Sequence, residues 1–579
     1  MSAPPPSPPQ TNDHPFHLPW EHSGQDRNLH PDTALQLELA ESRCKAPCVY
    51  ETTLSPRLKS TRDLFPLLAK TFSNEPDTIA GQRNVIRTLA QPTTAPLLTS
   101  EQQTAADMLH THYHALSDDD GFRGRYGFID FDKIAFLNEI PVVMVMLVMY
   151  NVGSPLFSLL SPLVGALLAY IVIYMRGAQV SLATFMSVLG QRLKWLLDVK
   201  QLFARDVAFY TRIKVVLTAA LYCFSIYQNV KSCRSFIKNY TTVGQTFTAL
   251  ATTTQTVTNA LHTLGQWSQN RAELSEYWDW CGQMTAPARQ LTEHMRPHLP
   301  LNFTNPTTIP LALRMYYKFK HSPELRTAVE WLLGLTGLID AYSGLARGWV
   351  AGELGAYLNC KSFDTAFVRG LRHPSLGPGC VQNTVQLKQS VVLTGRNGSG
   401  KTTLAKSLAV AAVLGSQFGL APCTKAQLPP LATIRCEMNI PDTNDRDSMF
   451  EAEARQCLGL IDTISEQPDS HHLCVFDELF SGTNADEALE AATGVLKDLS
   501  SSYKVRFLVT THMHDLGPRL GADVAQSLTM AADNTHSAHA GVATTSGARD
   551  TLVRIGFTDK QLGVSAASAA SAASAAPPA

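Results

Sequence analysis

The chain has 579 residues, 45% of them hydrophobic, with 48 basic against 49 acidic side chains and a formal net charge of −1. That length suits roughly three or four domains with packed cores, and the balanced charge carries no electrostatic footprint of a nucleic-acid binder. Eleven scattered cysteines form no disulfide framework, and Cys44 with Cys48 lacks the second pair that a zinc site needs, so reduced and mostly buried thiols are expected.

Residues 1–54 open on "MSAPPPSPPQ", proline-rich and polar, and are expected to be disordered or poorly structured. No basic stretch followed by an apolar one stands there, so a secreted protein is not expected. Residues 55–133 carry helical periodicity, as in "RDLFPLLAKTF" and "IAGQRNVIRTLAQ". Residues 134–175 form a hydrophobic segment, free of charge from Ile140 to Met175. Roughly 20 apolar residues cross a bilayer. Leu156 to Met175 is one such span, and Ile134 to Tyr150, which contains Asn138 and Glu139, a second and weaker one. "NVGSP" (Asn151 to Pro155) would then be the turn of a hairpin. The competing reading is a hydrophobic hairpin buried within a large soluble domain. Arg176, Arg192, Lys194 and Lys200 follow the segment and an Asp-rich stretch precedes it, which places the C-terminal side in the cytosol. Val215 to Tyr227 is a further apolar patch, too short to span, expected to pack or to lie at an interface. Residues 176–358 read as helical throughout. From 359 to 556 short apolar strands ("SVVLTG", "HLCVFDE", "RFLVTTH") alternate with helices, the pattern of an α/β nucleotide-binding sheet. Residues 557–579 are a Ser/Ala-rich tail that cannot build a core.

"GRNGSGKT" (Gly395 to Thr402) matches G-x4-G-K-[ST] with a strand before it and a helix after it. The backbone N–H groups of Gly395, Arg396, Asn397, Gly398, Ser399, Gly400, Lys401, Thr402 and Thr403 are expected to curl around phosphate oxygens at a helix N-terminus. Lys401 would reach the β and γ phosphates of ATP, and Thr402 would hold Mg²⁺. An ordinary strand–turn–helix is the bland alternative. "LCVFDE" ends a second strand in two carboxylates: Asp477 to hold Mg²⁺ through water and Glu478 to polarise the attacking water. A third strand ends at His512, where an imidazole can touch the γ phosphate.

With these motifs in this order, residues from about 370 to 555 resemble the ATPase domain of the MutS DNA mismatch-repair family. "LRHPSLGPGCVQNTVQL" (Arg372, His373, Pro374, later Asn383) is similar to the family's lead-in to the phosphate loop, "DSMFEAEA" to its S-x-F-x-x-E stretch through Ser448, Phe450 and Glu453. "DELFSGTN" resembles D-E-x-x-x-G-T, and "TTHMHDL" resembles T-H-x-x-E-L. More weakly, "IAGQRNVIRTL" and "GLIDAYSGLA" resemble the start and end of the family's helical lever. The resemblance implies an α/β P-loop NTPase domain of the ATP-binding-cassette/MutS type, preceded by an all-α lever-like region, to which the apolar segment adds one or two predicted transmembrane helices. It also implies an ATP-driven homodimer, or a heterodimer with a related subunit, and DNA as a partner by resemblance only. Ser448 would approach the γ phosphate bound by the other subunit; it could equally cap a helix in a box with Glu451. Arg396 stands where the family has proline, and "GSGK" replaces its "GGK". No module for reading mismatches is expected before residue 55, nor a Phe-x-Glu wedge or a nuclease tail, so recognition of a single mispair is expected to be weak or lost.

The combined expectation is a membrane-associated ATPase with its ATPase domain on the cytosolic side, or facing the DNA-containing compartment, and a lipid bilayer as a partner. Two other classes compete. A half-size cassette transporter would carry an L-S-G-G-Q-like stretch where this chain has "RDSMFEAEARQ", and about six spans. A scaffold would use ATP only to lock its dimer.

Overall fold

The computed structural model describes residues 15–22, 24, 26–177, 181–197, 209–301, 305, 307–377, 379–438, 449–531, 535–543 and 555; Ser448 and the low-complexity tail lie outside them. The chain divides into two units that cut across the expected boundaries: residues 1–103, 256–284 and 330–579, and residues 104–255 with 285–329. The longer described helices, in chain order, are α1 (Pro76–Leu89), α2 (Ser100–Ser117), α3 (Pro141–Met175), α4 (Leu182–Leu197), α5 (Phe209–Trp267) and α6 (Ala272–Met284). They continue with α7 (Ala286–Met295), α8 (Thr308–His321), α9 (Pro323–Val350), α10 (Lys401–Phe418), α11 (Met449–Ser465) and α12 (Ala485–Ser502).

In the first unit, β1 (Asp26–Asn28) and β2 (Thr71–Ser73) form a small antiparallel pair. The strands β3 (Gly355–Asn359), β4 (Phe367–Leu371), β5 (Asn383–Gln386), β7 (Leu420–Ala421) and β8 (Lys425–Leu428) build a five-stranded sheet in the order β5-β4-β8-β3-β7. The strands β6 (Ser390–Thr394), β9 (Leu431–Glu437), β10 (His471–Asp477), β11 (Val505–Thr510), β12 (Ala525–Met530) and β13 (Ala538–Ala540) build a six-stranded one, ordered β13-β12-β6-β11-β10-β9. Its pairs are parallel except β12 with β13. All five residues of β6 are buried, which explains why "SVVLT" does not alternate: a parallel strand is covered on both faces. The helix that follows it, α10, is buried all round from Ser407 to Phe418, as a helix inside a core must be.

The N-terminal stretch departs from its expectation of disorder. Phe16, Leu18, Trp20 and Tyr50 are fully buried. The Tyr50 hydroxyl and the Leu68 and Thr71 carbonyls meet the Gln417 amide inside α10. One Asp340 carboxylate oxygen on α9 accepts from the backbone N–H of Arg57 at 2.8 Å, that of Leu58 at 3.1 Å and the Thr61 hydroxyl at 2.7 Å. A β-carbon at Gly344 would collide with the Leu54 carbonyl, so only glycine lets the two segments approach this closely. The aromatic anchors outweigh the prolines that surround them in sequence.

The second unit is helical around an aromatic cluster in which Phe122 lies 5.1 Å from Phe128 and 5.8 Å from Tyr316, centroid to centroid. Here the expected hairpin is corrected: α3 is one continuous helix of 35 residues, and Asn151 to Pro155 is not a turn. Pro155 and Pro162 each remove the N–H that would bond the carbonyl four residues back. Both losses are made good by the serine just before the proline. Ser154 donates to the Asn151 carbonyl at 3.3 Å and Ser161 to the Ser158 carbonyl at 2.8 Å. The patch Val215 to Tyr227 is likewise part of a longer element, the 59-residue α5.

Candidate functional site

The end of β6 delivers the chain into a loop whose backbone only glycine adopts cheaply: φ is +75° at Gly398 and +99° at Gly400. Helix α10 starts at Lys401, so its first N–H groups face the loop. The Lys401 ammonium is buried; it donates to the carbonyls of Gly395 at 3.0 Å and Arg396 at 3.2 Å. Burial lowers its pKa from the ordinary lysine value, opposed by the charges of Glu478 and Asp477. Thr402 donates to Asp477 at 3.0 Å, and the Thr510 hydroxyl also bonds Asp477. Parallel pairing of β10 with β11, which sets Asp477 opposite Thr510, creates that contact.

Glu478 leaves the strand with φ +57°, a conformation costing an ordinary residue about 1–2 kcal/mol. Its N–H is held by the Thr510 carbonyl at 3.0 Å, and its carboxylate lies 3.1 Å from His512 Nε2. The same nitrogen is 3.3 Å from the Lys401 ammonium. As N–H it donates to Glu478; as a bare nitrogen it accepts from Lys401. Burial and Lys401 hold the His512 pKa below its ordinary value, and Glu478 works the other way. The imidazole is therefore neutral near pH 7.

Lys401, Thr402, Asp477, Glu478 and His512, dispersed over three strand ends in sequence, thus converge. Gly398, Gly400, Lys401, Thr402, Thr403, Asn397 and Glu478 line one cavity of about 610 Å³, within the size range of small-ligand sites. Arg396 belongs to the same loop, and the Ser399 hydroxyl is buried beneath it without a hydrogen-bond partner. The donor set suits the groups expected. A hydroxyl and a carboxylate at 3.0 Å are hard oxygen ligands for Mg²⁺, and a cation inside a glycine loop suits a polyphosphate. Of the S-x-F-x-x-E stretch, Ser448 lies outside the described residues, while Glu453 accepts from Ser481 at 3.2 Å. Burial raises the Glu453 pKa.

The cavity has a second wall of Leu371, Leu376, Val381 and His536. His536 carries no signal in its sequence context, "ADNTHSAHAG". Its Nδ1 lies 2.9 Å from the Ser399 carbonyl and its own carbonyl accepts from Asn383 at 3.1 Å, so it closes over the phosphate loop.

The family model MutS domain V matches residues 391–575. The DNA mismatch repair protein MSH1, mitochondrial, of Arabidopsis thaliana is 32% identical over 24% of this chain and 12% of its own length. The DNA mismatch repair protein MutS of Paracoccus denitrificans is 29% identical over 31% of the chain and 21% of its own. The DNA mismatch repair protein MSH3 of Yarrowia lipolytica is 26% identical over 26% and 14% respectively. The chain therefore spans a fifth or less of these relatives' length, or close to it, and the likeness is confined to one region.

Proposed function

For a chain that belongs to the MutS family through its C-terminal P-loop domain, we propose the activity of an ATP-binding and ATP-hydrolysing protein that dimerises through that domain. MutS proteins are ATPases that use Mg²⁺ with ATP, and the residues here suit that chemistry. Lys401 and the loop N–H groups bind the β and γ phosphates; Thr402 and Asp477 would hold Mg²⁺, which neutralises developing charge on the phosphates. Glu478 orients a water in line with the γ phosphorus and polarises it. The water oxygen bonds to that phosphorus as the bond to the β–γ bridging oxygen breaks; ADP leaves with that oxygen, the water's proton passes to Glu478, and His512 donates to the γ-phosphoryl oxygens. Ser448 of one subunit approaches the γ phosphate bound by the other, so that ATP closes the dimer and hydrolysis reopens it.

The observation that carries this reading is the convergence of Lys401, Thr402, Asp477, Glu478 and His512 through direct contacts, with Lys401, Thr402 and Glu478 lining the cavity. Two further parts rest on less. Mismatched or structured DNA as a partner, in mismatch repair or a related DNA transaction, follows from what the relatives are called. Membrane association is supported by α3, the described helix long and apolar enough to cross a bilayer, over Pro141–Ser161; the ATPase domain is proposed to lie on the cytosolic side or to face the DNA-containing compartment. Steady-state ATPase measured with and without duplex DNA tests the function. Turnover stimulated by DNA is expected; turnover indifferent to DNA removes the DNA partner, and no turnover removes the enzyme.

A further inference from the structure

The apolar helices of the second unit are inside out. On α3, Asn151, Ser154 and Ser158 recur at i, i+3 and i+7; on α5, Tyr222, Ser225 and Asn229 recur at the same spacing. The two stripes meet. Ser158 lies 3.3 Å from the Ser225 hydroxyl, Asn229 donates to Ser158 at 2.9 Å, and the Tyr222 hydroxyl donates to the Leu159 carbonyl at 2.7 Å. Nearer the helical body, Cys233 approaches the Val152 carbonyl. The helices are antiparallel, and polar groups join them. Apolar side chains face outward instead: Leu168 is 57% exposed, Leu217 56% and Leu221 60%, with Val164, Val216 and Phe224 similar. A soluble helical pair buries the second set and exposes the first.

Five further features match hydrocarbon. Leu156 to Met175 is about 30 Å of helix, the thickness of the apolar layer. On α5 the charge-free run is Val215 to Val230, closed by Lys214 and Lys231. Exposed tyrosines stand at both ends, Tyr174 and Tyr210 at one, Tyr150 and Tyr227 at the other, where amphipathic rings favour a membrane–water boundary. Exposed cations bracket the run, with Arg176 at the distal end and Lys231, Arg234 and Lys238 on one helical stripe at the other, complementary to anionic headgroups. The serine that makes good the loss at Pro162 completes the set, because the Ser158 carbonyl freed inside hydrocarbon has no water to bond.

We propose that the distal half of α3, Leu156 to Met175, and the start of α5, Phe209 to Val230, enter a lipid bilayer together as one antiparallel helical hairpin. This rests on the membrane association given in the proposed function, and places the crossing in the distal half of α3 rather than over Pro141–Ser161. Because α5 returns alongside α3, the residues before Ile140 and those after Lys231 share one side of the bilayer, so the ATPase domain lies on the side marked by Lys231, Arg234 and Lys238 and opposite Arg176, which corrects the side read from the charges that follow Met175.

The test uses the full chain with vesicles of phosphatidylcholine and phosphatidylglycerol carrying a photoreactive acyl chain. The protein is expected to float with the vesicles, and crosslinks to map to outward residues such as Val164, Leu168, Leu217 and Leu221. Leu168→Glu with Leu221→Glu should lower the partition coefficient by roughly a hundredfold per site. MgATP binding is measured in parallel as the sign of an intact fold. Flotation with crosslinks elsewhere leaves membrane association standing and overturns the hairpin. A protein that does not float overturns both. Self-association without lipid, abolished by the same glutamates, makes a second copy the occupant and overturns the proposal as well.

Discussion

Around β6 the apolar side chains point inward and the polar ones converge on a cavity; in the distal part of α3 and the start of α5, Ser158, Ser225 and Asn229 bond across the helix pair and the apolar side chains are exposed. The contrast separates two ways of holding elements together. The sheet is stabilised by area removed from water, at about 25 cal/mol per Å². The helical pair is joined by hydrogen bonds, each of which nets only about 1 kcal/mol in water. Such bonds leave the exposed leucines and valines uncompensated unless a non-aqueous surrounding covers them.

The largest expected effect sharpens the polar side of the contrast. Glu478→Gln should retain MgATP binding and lose turnover by roughly a thousandfold, since a positioned base contributes that order; hydrolysis at the wild-type rate in a steady-state assay removes its assigned role. Next, Asp340→Ala strands three donors in the core of the first unit and should cost about 3 kcal/mol, read from denaturant unfolding. A direct comparison comes from one substitution made in both regions. Leu393→Ala, in fully buried β6, should cost about 3 kcal/mol, whereas Leu217→Ala should change stability in water by less than about 0.5 kcal/mol. Equal losses, measured as hydrogen-exchange protection in each unit, would mean that Leu217 is buried in solution.

The smallest effect concerns pH. His472 is buried, its Nε2 is 3.0 Å from the Gln467 carbonyl, and burial lowers its pKa from 6.5. Below pH 6.5 the unfolded chain takes up a proton that the folded chain resists, so stability present above that value is lost as the pH falls. His472→Asn should flatten the slope of stability between pH 6.5 and 5 by a small amount; an unchanged slope assigns it to other histidines.

Much of the site was legible because its parts are local. Gly395 to Thr403 is one turn, and the phosphate loop needs no distant residue to be recognised. Asp477, Glu478 and His512 were legible as the ends of apolar strands, because parallel strands present their C-terminal ends along one edge. His536 was not, since it reaches the loop only by the return of the chain into β13, and Thr- and Ala-rich sequence gives that return no signature. The hairpin misread at Asn151 to Pro155 has a specific cause. Gly-Ser-Pro is turn chemistry in water, and nothing in the string announces that Ser154 would supply the bond Pro155 forgoes. The buried N-terminal stretch was misread for a related reason: proline-rich composition says little when Phe16, Trp20 and Tyr50 have a core to enter.

Sequence by itself determined which residues meet at the candidate site, the parallel α/β character of the region carrying them and the charge-free length of the apolar segment, because each depends on neighbours within a turn or a strand. Tertiary structure alone decided that α3 is unbroken, that its polar stripe is matched by one on α5, and that His536 closes over the phosphate loop. Those outcomes turn on contacts between residues tens to hundreds of positions apart, whose register no local preference sets.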